Sequence, residues 1–265
     1  MHVASLHLYP LKSCAPLDAE ALDVTLRGPV GDRRWMAVDA NGRFLTARQH
    51  PRLVGIRALP DDAGIVLSAN DMPALHVQPP ANDAPRREVV IWDDTVHAVD
   101  AGDNAAAWLT QYLGLTTRLV HMDATVHRPV DAKYGKPDDE VSFADGYPLL
   151  VITQSALDEL NARLASPVPM ARFRPNIVVA STAPNAEDGW RRVRVGEVEF
   201  DAVKTCIRCV FTTIDPATMT RDPGGEPLRT LLTYRRTPKG VSFGMNLIPR
   251  GTGRIARGDA VVVLD

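Results

Sequence analysis

Val203-Lys204-Thr205-Cys206-Ile207-Arg208-Cys209-Val210-Phe211-Thr212-Thr213-Ile214-Asp215-Pro216 holds two of the chain's three cysteines. Upstream, apolar residues alternate at Val198, Phe200 and Ala202, the periodicity of a half-buried strand. Downstream, Val210 to Ile214 is β-branched and aromatic and ends at Asp215-Pro216, so the stretch predicts strand, loop, strand. Both thiols then sit at a strand junction beside Lys204 and Arg208, and neighbouring cations favour the thiolate. Four meanings of the Cys-x-x-Cys spacing stand open. Half a zinc site lacks a second ligand pair, since the third cysteine is Cys14 and no histidine pair has ligand spacing. A thioredoxin-like dithiol wants a helix where a strand is expected here. The spacing can also carry no role, or one thiolate can bind a soft metal.

Working outward, short strands with turn signals dominate. Val3 to Leu8, Ala21 to Leu26, the segment after Gly31-Asp32-Arg33-Arg34-Trp35, Leu53 to Leu59, Gly64 to Ser68 and Glu88 to Trp92 read as strands, and Asn41-Gly42 as a hairpin turn. Asp103 is expected to cap a helix over 104–113 that buries Ala105, Trp108, Leu109 and Tyr112 and stops at Gly114. Residues 126–140 are polar and proline-bearing and read as a surface connection between two halves. Beyond them come a buried strand from Tyr147 to Ile152, a helix capped by Ser155, a strand at Ile177 to Ala180, a hairpin turned at Gly196, a short helix near Pro227 to Tyr234, and closing strands at Val241 to Ile248 and Ala260 to Leu264. The fold class expected is mixed α/β but predominantly β, of barrel or sandwich type with a few short helices.

Composition bounds the function. The 265 residues are 45% hydrophobic and 23% charged with a net charge of -2, an ordinary globular balance that offers no basic footprint for nucleic acid. Three cysteines make no disulfide framework, no signal peptide precedes the first strand and no apolar run reaches membrane length, so a cytoplasmic, reducing location is expected. Neither phosphate-binding glycine motif is present, which argues against a nucleotide. Yet Lys12, Arg33, Arg48 and Arg174 all border strands, in loops that also carry Ser13, Thr46 and Asn176, and such groups together suit a large anionic cofactor.

Five segments, Tyr9-Pro10-Leu11-Lys12-Ser13-Cys14, Gly31-Asp32-Arg33-Arg34-Trp35, Phe44-Leu45-Thr46-Ala47-Arg48-Gln49, Phe173-Arg174-Pro175-Asn176 and Cys206-Ile207-Arg208-Cys209-Val210-Phe211-Thr212-Thr213, occur in an order that resembles the MOSC-domain proteins with an N-terminal β-barrel domain. Among them the chain resembles the amidoxime-reducing components of mitochondria and the bacterial relatives that reduce N-hydroxylated compounds. The resemblance implies a β-barrel-like domain over 1–120 packed on a MOSC β-barrel domain over 121–265. It implies a molybdenum cofactor, a molybdenum-bearing pyranopterin whose metal takes Cys209 as protein ligand, with Cys206 as a neighbour.

Lys12, Ser13 and Arg33 then match the positions that hold pterin and phosphate, Arg174 and Asn176 those of the Phe-Arg-Pro-Asn segment. Gly146 and Tyr147 match two further contacts, and Thr46, Arg48 and Asp145 are candidates for the pocket wall. The two halves would close on the cofactor. The implied activity is removal of oxygen from hydroxylamines, amidoximes or N-hydroxylated bases, with electrons from a separate ferredoxin-, flavodoxin- or cytochrome-like donor and no membrane anchor or nucleic acid. The alternatives are a sulfur carrier that uses a persulfide on Cys209 or Cys206, and a module that stores the cofactor.

Overall fold

In the computed structural model, which describes residues 1–61, 63–81 and 83–265, the alternating stretch around Phe200 is the spine of the largest sheet. Strand β15 (Val198–Arg208) pairs antiparallel with β14 (Arg192–Val195) on one side and β19 (Gly240–Pro249) on the other. The order continues from β19 to β12 (Leu149–Thr153), β13 (Ile177–Ala180), β1 (His2–Leu8) and β2 (Leu17–Ala19), while β21 (Val261–Val263) flanks β14 and β18 (Arg236–Thr237) joins β19. Among the described residues only β12 and β13 run parallel within this sheet, and α2 (Gln154–Asn161) begins the crossover that such a pair requires. Val3, Leu6, Val151, Ile177, Phe200 and Leu247 pack as the core on one face.

The remaining strands of the first half form smaller sheets. One runs β5 (Trp35–Asp39), β11 (Thr117–His121), β10 (Asp94–Asp100) and β9 (Arg86–Ile91); another runs β6 (Arg57–Asp61), β7 (Gly64–Ser68) and β8 (Leu75–Val77). A three-stranded sheet joins β20 (Gly253–Ala256) to β3 (Ala21–Thr25) and β4 (Gly28–Pro29), and β16 (Ile214–Asp215) pairs with β17 (Thr220–Arg221). Helix α1 (Asp103–Leu113) buries the expected face of Ala105, Trp108, Leu109 and Tyr112 and ends at a left-handed Gly114; α3 (Leu228–Tyr234) is the third helix. The predominantly β class with a few short helices is what the structure has. At the start of β21 the large sheet comes back to β1, where His2 bridges Ala260 and the Val3 N–H donates to the Asp259 carbonyl at 2.9 Å.

Four local expectations differ from the structure. Val210–Thr213 is a 3-10 turn, because the Thr212 and Thr213 hydroxyls donate back to the Cys209 and Val210 carbonyls at 3.0 and 2.7 Å and curl the backbone away from a strand. Pro51–Gly55 is likewise a 3-10 turn, with Pro51 at its start, so the strand read over 53–59 begins only at Arg57. Gly102 and Thr153, not Asp103 and Ser155, occupy the cap positions of α1 and α2. Residues 126–140 are not all surface. Val126, Arg128 and Val130 turn inward, and the Arg128 guanidinium, 3% exposed, donates to the carbonyls of Ser142, Ala144 and Asp145.

Candidate cofactor site

The first strand delivers the loop of Lys12 and Ser13, the turn before β5 delivers Arg33, the segment after Phe44 delivers Thr46 and Arg48, and the end of β15 delivers Cys209. These converge with Asp145, Gly146, Tyr147, Arg174 and Asn176 on one cleft of about 910 Å³, counted out to open solvent. Every residue singled out from the sequence for cofactor contact lines it. Arg208 and Cys206 line it too.

The backbone is bent to aim these groups. Ser13, Arg33 and Arg174 hold φ of 67°, 48° and 57°, the left-handed region that a side-chain-bearing residue enters at a cost of about 1–3 kcal/mol. All three face the cleft, so the strain buys position there. Gly146 has no such need, since a methyl group on it would meet nothing within 4 Å.

A buried junction anchors the cations. Asn176, 1% exposed, donates to the His7 carbonyl at 3.2 Å and to Asp32 at 3.1 Å, and its amide oxygen accepts from Arg33 at 3.0 Å. Asp32 also accepts the Tyr9 N–H at 2.9 Å and pairs with the Arg33 guanidinium. Two guanidiniums lie over the Tyr9 ring, Arg33 at 4.1 Å and Arg174 at 4.3 Å from its centre. Burial pushes the Tyr9 phenol up to about 12, against the pull of Arg174 and Arg33. Burial also lowers the Arg174 guanidinium to about 10, which leaves it charged at neutral pH.

Asp145 organises the other wall. It accepts from Lys12 Nζ at 2.6 Å, from Arg48 at 3.4 Å and from the Trp92 indole at 3.4 Å, while 64% of its side chain is exposed where the cleft opens. Partial desolvation pushes its carboxyl up, but the Lys12 charge, the Lys12 hydrogen bond and Arg48 outweigh this and hold it far below the usual carboxylate range. Arg48 stacks on the Trp92 ring at 4.3 Å, and its Nε donates to Cys209 Sγ at 3.1 Å. Arg208 donates to Cys206 Sγ at 2.9 Å and to the Phe173 carbonyl at 2.7 Å. Lys204, expected beside the thiols, is turned away. Register shifts in β15 between Ala202 and Lys204 and again between Thr205 and Ile207 direct its ammonium over the Tyr134 and Tyr147 rings.

Lys12, only 5% exposed, has its ammonium pushed down to about 8 by burial, against the opposing pull of Asp145. Between that value and the ordinary 10.5, an unfolded chain binds a proton that the folded chain has released, so Lys12 makes stability rise with pH across this window. Urea denaturation of the cofactor-free protein at about pH 7.5 and about pH 10 checks this. The stability of wild type relative to Lys12→Met is expected to increase at the higher pH; a decrease would contradict the assignment.

Comparison with known sequences agrees with the fold and the motif order. The profile described as MOSC N-terminal beta barrel domain matches residues 1–116, and that described as MOSC domain matches 138–262. Mitochondrial amidoxime-reducing component 1 of Mus musculus is 36% identical over 99% of this chain and 82% of its own length. The chain belongs to the amidoxime-reducing component family. Component 1 of Homo sapiens is 35% identical over the same shares, and component 2 of Homo sapiens 35% identical over 88% of this chain and 72% of its own length. Within this family member, sequence reasoning passed over Asp32, Trp92, Arg128 and, on the cleft wall, Asn246. Asp32 stood inside a quoted motif beside the arginine it holds, and the spacing Val126, Arg128, Val130 offered a strand-like alternation that would have flagged a buried arginine. Trp92 and Asn246 carried no signal of their own. Among the described residues no helix is long and apolar enough to cross a membrane.

Proposed function

We propose that the chain is a molybdenum-cofactor-dependent reductase of N-hydroxylated compounds, supplied with electrons by a separate protein. One observation carries the reading. The Cys209 thiol, with Cys206 beside it, faces a cleft lined by five cationic side chains, Lys12, Arg33, Arg48, Arg174 and Arg208, against one carboxylate, Asp145. Two guanidinium nitrogens there, Arg174 Nη2 and Arg208 Nε, are buried without an acceptor. Such donors fit a phosphate-bearing, oxygen-rich ligand, and the thiol fits a soft metal. No three His, Cys, Asp or Glu side chains converge on a metal among the described residues, so the metal's other ligands would come from the cofactor.

In this reading Cys209 Sγ holds the metal, while Lys12, Ser13, Arg33, Arg174 and Asn176 hold the pterin and its phosphate. Thr46, Arg48, Gly146 and Tyr147 form the walls. When bound, the cofactor supplies a two-electron centre for cleavage of the N–O bond. The chain positions it, through the strained loops and the Asn176 junction, and supplies protons. Each N–OH group reduced to N–H takes up two protons and releases one water. The Lys12 ammonium, set near neutrality, is placed to deliver them, and the Asp145 carboxylate holds it by a 2.6 Å hydrogen bond toward the open side.

The test is elemental analysis and pterin fluorescence on protein made in a host that synthesises the cofactor, followed by turnover of an amidoxime. Molybdenum and pterin at one per chain, with turnover, are the expected result. Folded protein that acquires neither would overturn it. That outcome favours the second reading, a sulfur carrier, for which the observation is that Cys206 and Cys209 both line the cleft and each meets an arginine. A labile sulfur adduct on either cysteine of metal-free protein, seen by mass spectrometry, would then be its signature.

A further inference from the structure

Elsewhere along β15 lies a second hollow of about 660 Å³, also counted out to open solvent. Val203, Ile207 and Pro238 give it an apolar lining beside Lys204 and Lys239, and no acidic residue lines it among the described residues. Three ammonium groups surround one ring there. Lys204, Lys133 and Lys239 lie 4.9, 5.7 and 5.8 Å from the centre of Tyr134, and Lys239 also donates to its hydroxyl at 3.1 Å. They come from three separate segments: the connection after β11, strand β15 and the turn between β18 and β19. None of the three forms an ion pair with a carboxylate among the described residues, whereas nearby Lys136 has Asp201 at 3.9 Å. The carboxylate close by, Asp131, accepts the backbone N–H of Lys133.

This patch is joined to the cleft. Tyr134 meets Tyr147 edge to face with ring centres 6.0 Å apart, and Tyr147 lines the cofactor cleft. Ile207 lines both cavities, so a single strand and one aromatic pair separate them. The cleft meanwhile opens beside exposed Asp145, a route that stays free for a small substrate.

We propose that the Lys133–Lys204–Lys239 patch around Tyr134 is the docking surface for an acidic one-electron carrier protein, with flavodoxin as the probe. The proposal rests on the reductase reading above. Unpaired lysines beside an apolar lining complement a carboxylate-rimmed partner face and steer its approach. Docking there brings the donor to the wall of the cleft without blocking its mouth. For each N-hydroxyl group reduced, two carriers each give up one electron, two protons are taken up and one water leaves.

The test uses holoprotein and an acidic flavodoxin, with Lys133→Glu, Lys204→Glu and Lys239→Glu combined. Calorimetry at about 20 mM salt reads binding, where screening is weak. Amidoxime reduction is driven in parallel by reduced flavodoxin and by reduced methyl viologen, a small donor that needs no docking. The triple variant is expected to bind flavodoxin about tenfold or more weaker. Its KM for flavodoxin should rise in step, with viologen-driven turnover unchanged. Lys133→Ala with Lys239→Ala, both exposed, guards against disturbance of β15 and should weaken binding to a lesser degree. Wild-type protein that does not bind flavodoxin, or a triple variant that binds within twofold of wild type, would overturn the proposal. Patch-dependent binding without turnover from either donor would leave the surface standing and remove the reductase reading.

Discussion

Cys209→Ser protein, produced beside wild type in a host that makes the cofactor, is expected to reduce an amidoxime at less than about one-hundredth of the wild-type rate. Loss of an outer-sphere partner at a metal typically costs about 10–100-fold, and removal of the thiolate itself exceeds that. The serine hydroxyl is nearly the same size but is a hard donor that stays protonated at neutral pH, so it is a poor substitute for a soft ligand. The fold should tolerate the change. Cys209 is only half-buried, and its carbonyl, not its thiol, receives the Thr212 hydrogen bonds that shape the turn. Molybdenum content should fall with the activity, whereas Cys206→Ser should retain bound metal. Full activity and full metal in Cys209→Ser would place the ligand elsewhere.

The largest stability effect is expected away from the thiols, at Asp32. This carboxylate is 2% exposed and accepts from the Tyr9 N–H, the Asn176 amide and the Arg33 guanidinium. Asp32→Ala would leave a buried arginine without its counter-charge, next to a second guanidinium stacked on the same Tyr9 ring. Breaking a buried pair from one side costs about 3–5 kcal/mol, a large share of a typical domain's stability. Urea denaturation of cofactor-free protein measures it. Asp32→Asn keeps an acceptor for Tyr9 and should lose much less. A loss below about 1 kcal/mol in Asp32→Ala, the scale of an ordinary hydrogen bond, would show that the junction is solvated and does not hold the site.

How much of this was legible in the sequence follows a physical line. Strands that alternate against one core face, such as Val198–Ala202, and the helix with Ala105, Trp108, Leu109 and Tyr112 on one side, could be read because burial imposes their period. The cleft residues were legible through motif resemblance, and all eleven fall on its wall. What escaped depended on side chains bonding to backbone or across long separations. The 3-10 turn after Cys209 is set by two threonine hydroxyls, against a β-branched composition that favours a strand. Arg128 is invisible as a core residue until the carbonyls of residues 142–145 enclose it. Lys204 was misplaced because two register shifts in β15 change the side to which it points, which composition does not encode.

The place of β1 in the large sheet has a consequence for biosynthesis. One edge of β1 meets β2 as soon as residue 19 is made, but the other pairs with β13, whose residues 177–180 are synthesised much later. At roughly 5–20 residues per second, that edge waits on the order of ten to thirty seconds on the ribosome. Throughout that interval Val3 and Leu6, fully buried in the finished protein, face solvent beside an unpaired strand edge. The nascent chain is therefore most open to edge-to-edge association early in synthesis, and slower translation between the halves prolongs that exposure.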